Sequence, residues 1–229
     1  NKSFVWSSSV SGYNHLYVYD MSGKLIRQIT GGNWEVVSFK GIDEKVGMLY
    51  YTSTEIAPYN RDLYAVSLDG KTKKKLSAKE GENDAHFSNS FKYFINYFSE
   101  ANMPYYITLN NYTGKEIRVL KDNAPLNKLL KDYNLSKKEF IKFTTSDSIE
   151  LNAWMIKPAH FDASKKYPVF MTVYGGPGRQ TVMNTWDNKD FMWHQMLAQN
   201  GYIIISVDNR GTDGRGVAFR KCTYGQMGK

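Results

Sequence analysis

The chain has 229 residues, enough for one large domain or parts of two, and aromatic side chains make up 15% of it, 17 of them tyrosine. That composition suits a folded, β-rich protein and excludes a disordered one, and no apolar run reaches the roughly 18 residues of a helical membrane span. The formal charge of +8 is local in origin, with Lys71, Lys73, Lys74 and Lys75 in one segment and Lys128, Lys131, Lys137 and Lys138 in another. These runs read as a solvated turn and a solvated helix face in preference to a nucleic-acid patch. Cys222 is alone, so neither a disulfide framework nor a cysteine-based metal site is built within one chain. It assigns no compartment either. The N-terminus, NKSFVWSSSV, lacks the charged-then-apolar pattern of a leader and starts in strand-like sequence, so further sequence is expected upstream.

The first half of the chain repeats. LYVYDMSGKLIRQIT from Leu16, LYAVSLDGKTKKKLS from Leu63 and YYITLNNYTGKEIRVL from Tyr105 align with one another. Each is an alternating strand, a turn carrying Gly-Lys, and a second alternating strand. Gly23, Gly70 and Gly114 hold the same place, where the hairpin turn needs a residue that tolerates positive φ. The spacing is about 45 residues, the length of a four-stranded propeller blade. VGMLYYTS from Val46 and KYFINYFS from Lys92 supply further strands between the hairpins. An antiparallel sandwich is the alternative, but three register-matched hairpins favour a propeller. Three blades do not close a ring, which typically takes 4–8.

Near Asn123 the pattern changes. APLNKLLKDYNL places Leu126, Leu129, Leu130 and Tyr133 at helical spacing and predicts a short linking helix. KEFIKFTTSD and IELNAWMIKP then predict two strands. PVFMTVY is a short continuous apolar run, predicted as a strand buried on both faces. NKDFMWHQMLAQ predicts a helix with Asp187 or Asn188 as N-cap and Gly201 as the residue just past its end. GYIIISVD predicts a second buried strand. Strand, helix and strand at this length make a βαβ unit with parallel pairing. The predicted fold class is therefore mixed β and α/β: a partial β-propeller of about three blades over residues 1–125, a linker helix over 126–137, and an incomplete α/β domain over 138–229.

In open α/β sheets, function gathers at the carboxyl ends of the strands. The first such end reads Tyr174-Gly175-Gly176-Pro177-Gly178. The loop at this place in α/β-hydrolases contributes to the oxyanion hole. A tyrosine hydroxyl is a neutral donor suited to that task, and the glycines allow a sharp turn. The motif alone leaves open a second reading, a tyrosine packed at a sheet end with its hydroxyl in water. The second strand end carries Asp208 and Arg210, read as loop anchors in preference to catalytic groups; an arginine is too basic for a general base. No Gly-x-Ser-x-Gly occurs. In α/β-hydrolases the order Ser, Asp or Glu, His places all three beyond this strand and helix, so His15, His86, His160 and His194 come too early and read as surface or core residues. The sequence also lacks a Walker loop, Gly-x-Gly-x-x-Gly and His-Glu-x-x-His, and no cofactor or metal is expected.

The run from Ala153 to Gln180, AWMIKPAHFDASKKYPVFMTVYGGPGRQ, followed by SVDNRGTDGRG from Ser206, resembles the dipeptidyl peptidase IV branch of the prolyl oligopeptidase family. The LYAVSLDGK hairpin at Leu63 is similar to that family's propeller. The resemblance covers essentially the whole chain. It implies a β-propeller over an α/β-hydrolase domain. It also implies a serine exopeptidase acting on peptides with Pro or Ala at the second position, and a parent that is homodimeric and periplasmic or extracellular. It assigns Tyr174 to the oxyanion. It places the nucleophile, its Asp and His, and the proline pocket beyond Lys229, and the acidic residues that bind the substrate amine before Asn1. On that view the 229 residues form an inactive fragment, and the α/β part has an open sheet edge that invites pairing. Ser148, Arg179 and Asp213 depart from the family pattern, standing where Gly or small residues are common. Prolyl oligopeptidase or acylaminoacyl peptidase specificity, or a non-enzymatic propeller binding protein, are the alternatives.

Overall fold

The structure, a computed structural model, describes residues 2–187 and 189–226. Its elements in chain order are β1 (Ser3–Ser8), β2 (His15–Asp20), β3 (Leu25–Gln28), β4 (Val36–Asp43), β5 (Met48–Ser53), β6 (Asp62–Ser67), β7 (Lys73–Lys75), β8 (Glu82–Phe87), β9 (Tyr93–Glu100), β10 (Met103–Asn111) and β11 (Glu116–Lys121). They continue with α1 (Ala124–Lys131), β12 (Lys138–Thr144), β13 (Glu150–Ile156), β14 (Val169–Thr172), α2 (Phe191–Gln199), β15 (Ile203–Val207) and α3 (Gly216–Lys221). The first eleven strands form three consecutive antiparallel sheets, β1-β2-β3, β4-β5-β6-β7 and β8-β9-β10-β11. These are three propeller blades, and the three aligned hairpins are β2–β3, β6–β7 and β10–β11.

The period-2 alternation of the strands explains why the blades stack. In β5 and β6, Leu49, Tyr51, Tyr64 and Val66 face the first sheet and join Leu16, Val18, Ile29, Trp34 and Val36 in one core. Their neighbours Tyr50, Leu63 and Ala65 face the third sheet and pack with Leu76, Ala85 and Phe94. The two central strands of the middle blade, β5 and β6, are thus buried on both faces, which is what a stack of sheets demands. The turn glycines do two jobs. Gly70 and Gly114 sit at φ 74° and 87°. A Cβ on Gly70 would lie 3.1 Å from the Ile29 carbonyl, and one on Gly114 would lie 2.5 Å from that of Leu76. The hairpin turn of each blade therefore rests on the end of the blade before it, twice with the same geometry.

The lysine run at 71–75 forms the edge strand β7 and its turn. Lys73 pairs with Glu55, Lys75 bonds Asp62 at 3.0 Å, and Lys74 donates to the Thr113 carbonyl at 3.0 Å. Lysine on an edge strand also discourages edge-to-edge pairing. In the second lysine group, Lys128 and Lys131 lie on exposed α1, as expected. Lys138 does not. It opens β12, is 6% exposed, and sets its ammonium 4.5 Å from the centre of the Trp154 ring. The strand start turns its side chain inward over an aromatic face, where a cation is favoured.

The fourth sheet has the order β12-β13-β15-β14, with β14 and β15 parallel and α2 as the crossover. The βαβ unit is as predicted, and Gly201 follows the helix at φ 84°. Two details differ. The N-cap of α2 is Asp190, while Asp187 accepts the Phe191 amide through its main-chain carbonyl; the alternative cap, Asn188, lies outside the described residues. And β14 is not buried on both faces: Val169 and Met171 are 59% and 57% exposed, and Val173, just past the strand, is 51% exposed. The reason is position. β14 is the edge strand, and α2 packs on β15 and β13. In the β12–β13 turn Ser148 adopts φ 62°, a left-handed conformation that costs a side-chain-bearing residue about 1–2 kcal/mol. That is the backbone reason for glycine at such a place.

Candidate functional site

The predicted site residue, Tyr174, stands just past the carboxyl end of β14 and is 53% exposed. The chain after it folds back because Gly175 and Gly178 both take φ 75°. Gly176 is required for a different reason: a Cβ there would lie 2.9 Å from Cε1 of the Tyr174 ring. The ring is covered on one face by Arg179, whose guanidinium carbon is 5.1 Å from the ring centre, a cation–π contact. So Arg179, a departure from the resembled pattern, packs on the candidate residue itself. Asp213, the other departure, pairs with Arg220 at 3.4 Å.

The second strand end holds the first in place. The Gly178 amide donates to the Gly211 carbonyl at 2.8 Å. Asp208, 2% exposed, accepts the Thr181 amide at 2.7 Å, the Val182 amide at 3.1 Å and the Thr181 hydroxyl at 3.2 Å. Burial raises its pKa, and those donors work against the rise. Asp208 is therefore an anchor of the loop that follows Tyr174. Arg210 ties its own loop to the β12–β13 turn more loosely, through an exposed pair with Asp147 at 3.2 Å.

Sequence reasoning missed the far half of the site. Blade residues clamp the same loop from the other side. Arg61, at the start of β6, donates to Gln180 Oε1 at 2.5 Å and to the carbonyls of Pro58 and Asn60 at 3.0 and 2.7 Å. Gln180 in turn donates to the Pro58 carbonyl at 3.1 Å. Glu35 reaches the other strand-end loop, after β15, and accepts the Gly214 amide at 2.9 Å. Asn184 bonds Asn60 and the Ala101 amide, and the Trp186 amide donates to Ser99. Burial lowers the Arg61 pKa, opposed chiefly by the charges of Glu82, Glu35, Asp208 and Asp213. An arginine this deep among carboxylates stays ionised. The only sequence signal for this clamp was a charged pair, Arg61-Asp62, opening an otherwise apolar strand.

The histidines fall where expected. His86 and His160 are on the surface. His15 is buried between Thr30 Oγ1 and the Gly32 carbonyl, edge-on to Trp34. His194 is buried on α2 against Trp154. Burial pushes both rings below their ordinary pKa, and for His194 the Lys138 charge adds to it. A neutral buried ring takes up its proton first in the unfolded chain. Its contribution is complete above about pH 6.5 and is lost as pH falls below that value. Thermal melts of the wild type should therefore decline from pH 7 to 5, with a slope of up to about 1.4 kcal/mol per pH unit for each ring. His194→Gln should flatten that decline; an unchanged slope would show that the ring titrates alike in both states.

With this geometry in view, the comparisons are direct. Residues 1–105 match the family described as dipeptidyl peptidase IV (DPP IV) N-terminal region. Dipeptidyl peptidase 4 of Trichophyton rubrum is 34% identical over 229 residues, 98% of this chain and 30% of that protein. Dipeptidyl peptidase 4 of Arthroderma otae is 34% identical over 231 residues, again 98% of this chain and 30% of that protein. The crystal structure of Porphyromonas gingivalis dipeptidyl peptidase 4 superposes with a TM-score of 0.92 at 42% identity, over 98% of this chain and 31% of that one. The chain thus spans about a third of the length of the proteins it matches.

Proposed function

Because this chain is dipeptidyl peptidase IV-like in sequence and in fold, we propose that the protein containing it is a serine-type exopeptidase. It releases Xaa-Pro and Xaa-Ala dipeptides from the free N-termini of peptides. The observation that carries this reading is Tyr174, a phenol on a glycine turn at a strand end, followed by a segment whose residues 180 and 181 are bonded by a propeller residue and a strand-end residue. When a serine oxygen attacks the carbonyl after Pro or Ala, that carbonyl becomes an oxyanion. The Tyr174 hydroxyl donates to it, with a backbone N–H as the second donor. A phenol suits the task because it is neutral at working pH, so it adds no charge to the ground state. Arg179 over the ring and the close approach of Gly176 restrict where the ring can lie, so the donor needs little reorganisation during reaction.

The serine nucleophile with its Asp and His, the proline pocket and the acidic ligands of the substrate amine are assigned to sequence outside these 229 residues, none of which forms a Gly-x-Ser-x-Gly elbow. On the same reading the 229 residues alone are inactive, and the parent is a homodimer working in the periplasm or outside the cell.

Hydrolysis of Gly-Pro p-nitroanilide by the full-length protein, with the 229-residue chain as control, tests the proposal. Activity in the full-length protein alone is the expected result. No activity in either would overturn the dipeptidyl peptidase assignment. Activity in the short chain would overturn the placement of the nucleophile.

A further inference from the structure

The second and third blades leave a cavity of about 520 Å³ between them. It opens at the end of the blades formed by the β4–β5, β6–β7, β8–β9 and β10–β11 turns. The contacts with residues 180–186 come from the opposite end, from residues 58–61 and 99–101. Nothing in the proposed peptidase reading uses this cavity.

Its walls are apolar: Met48, Tyr50, Ala65, Leu76 and Phe91. Phe91 stacks on the buried Tyr50 with ring centres 5.4 Å apart and planes 6° from parallel, so the half-buried Phe91 ring is the aromatic face of the wall. Its rim is cationic. Lys45, Lys74 and Lys92 line it, against the single carboxylate of Asp43, which accepts the Lys45 amide at 3.1 Å. The size is that of a small-molecule pocket, and apolar walls with a few charged groups are the usual lining of one.

A second observation points to the same place. Phe91 sits at φ 54°, a left-handed conformation that a bulky residue adopts only when its surroundings impose it. Its ring lies where a Cβ on Gly41 would be, 2.6 Å from Cζ. Gly41 and the strained Phe91 together place an aromatic ring in the cavity wall. Phe91 takes the left-handed position of the β8–β9 turn, with its amide on the Ser88 carbonyl, a place where glycine would have closed the hairpin without strain. Backbone strain of this kind concentrates at ligand-binding positions.

We propose that this cavity binds an aryl-alkyl carboxylate, with its ring against Phe91 and its carboxylate among Lys45, Lys74 and Lys92. The Phe91 ring selects an aromatic group, and the rim selects an anion.

The test is isothermal titration of the full-length protein with 4-phenylbutyrate and with its neutral amide. The carboxylate should bind saturably with a Kd at or below about 1 mM, and the amide at least about fivefold more weakly. The double variant Lys45→Gln, Lys92→Gln changes only rim charge and should weaken carboxylate binding about two- to tenfold. Phe91→Gly keeps a residue suited to positive φ while removing the wall, and should weaken it more than about tenfold. Absence of saturable binding by about 5 mM would overturn the proposal. So would equal affinity for acid and amide, or a charge variant that binds like wild type.

Discussion

Replacing Tyr174 by Phe in the full-length protein is expected to lower kcat on Gly-Pro p-nitroanilide by about 10²–10³, with KM much less affected, because one oxyanion donor is worth about 2.7–4 kcal/mol in the transition state. The substitution isolates the hydroxyl. Phenylalanine keeps the ring that Arg179 covers, and it keeps the contact that requires glycine at 176. The loop should therefore stay in place, and the loss should fall on the chemical step. A kcat within about twofold of wild type would sink the oxyanion role, since no other function of the hydroxyl predicts a loss confined to kcat.

Replacing Asp208 by Ala should have the largest effect on stability. The carboxylate accepts two backbone amides and one hydroxyl of the segment that follows Tyr174. Its loss strands these donors inside the protein, at about 1–3 kcal/mol for each unsatisfied group. Relief of the buried charge offsets part of this, since burial already works against the ionised form. A net loss of about 2–4 kcal/mol is expected. It should appear as a lower Tm, together with a fall in activity as the loop carrying Tyr174 loosens. Arg210→Ala is the matched control: its pair with Asp147 is exposed, so its melt should overlay that of the wild type. Equal effects from the two substitutions would show that Asp208 is not the anchor.

These two residues differ in how much of their setting the sequence carried. Tyr174 was legible because a tyrosine before a glycine-rich turn, after an apolar strand, is a local pattern with a chemical meaning. The role of Asp208 as an anchor was legible in kind, as a polar group at a strand end. Its partners, 26 and 27 positions back along the chain, were not. The clamp of Arg61 on Gln180, 119 positions apart, had no local signature, and neither did the Glu35 contact with Gly214. Lys138 was misread for the same reason. A lysine in a basic run looks solvated until the fold sets an indole beneath it.

By itself the sequence determined the elements and their repetition: the three hairpins with glycine at the turn, the βαβ unit with Gly201 past its helix, and the tyrosine at the strand end. Each rests on interactions between near neighbours, such as period-2 alternation, turn dihedrals and the unpaired groups at helix ends, so a short window contains all the information. The tertiary structure decided everything that needs two distant segments at once. It seated Gly70 and Gly114 on the preceding blades and left β14 uncovered at a sheet edge. It brought the propeller loops onto residues 180–186, and it opened the lysine-rimmed cavity between blades. Burial and long-range hydrogen bonding depend on which surfaces meet, and that is a property of the packed chain as a whole.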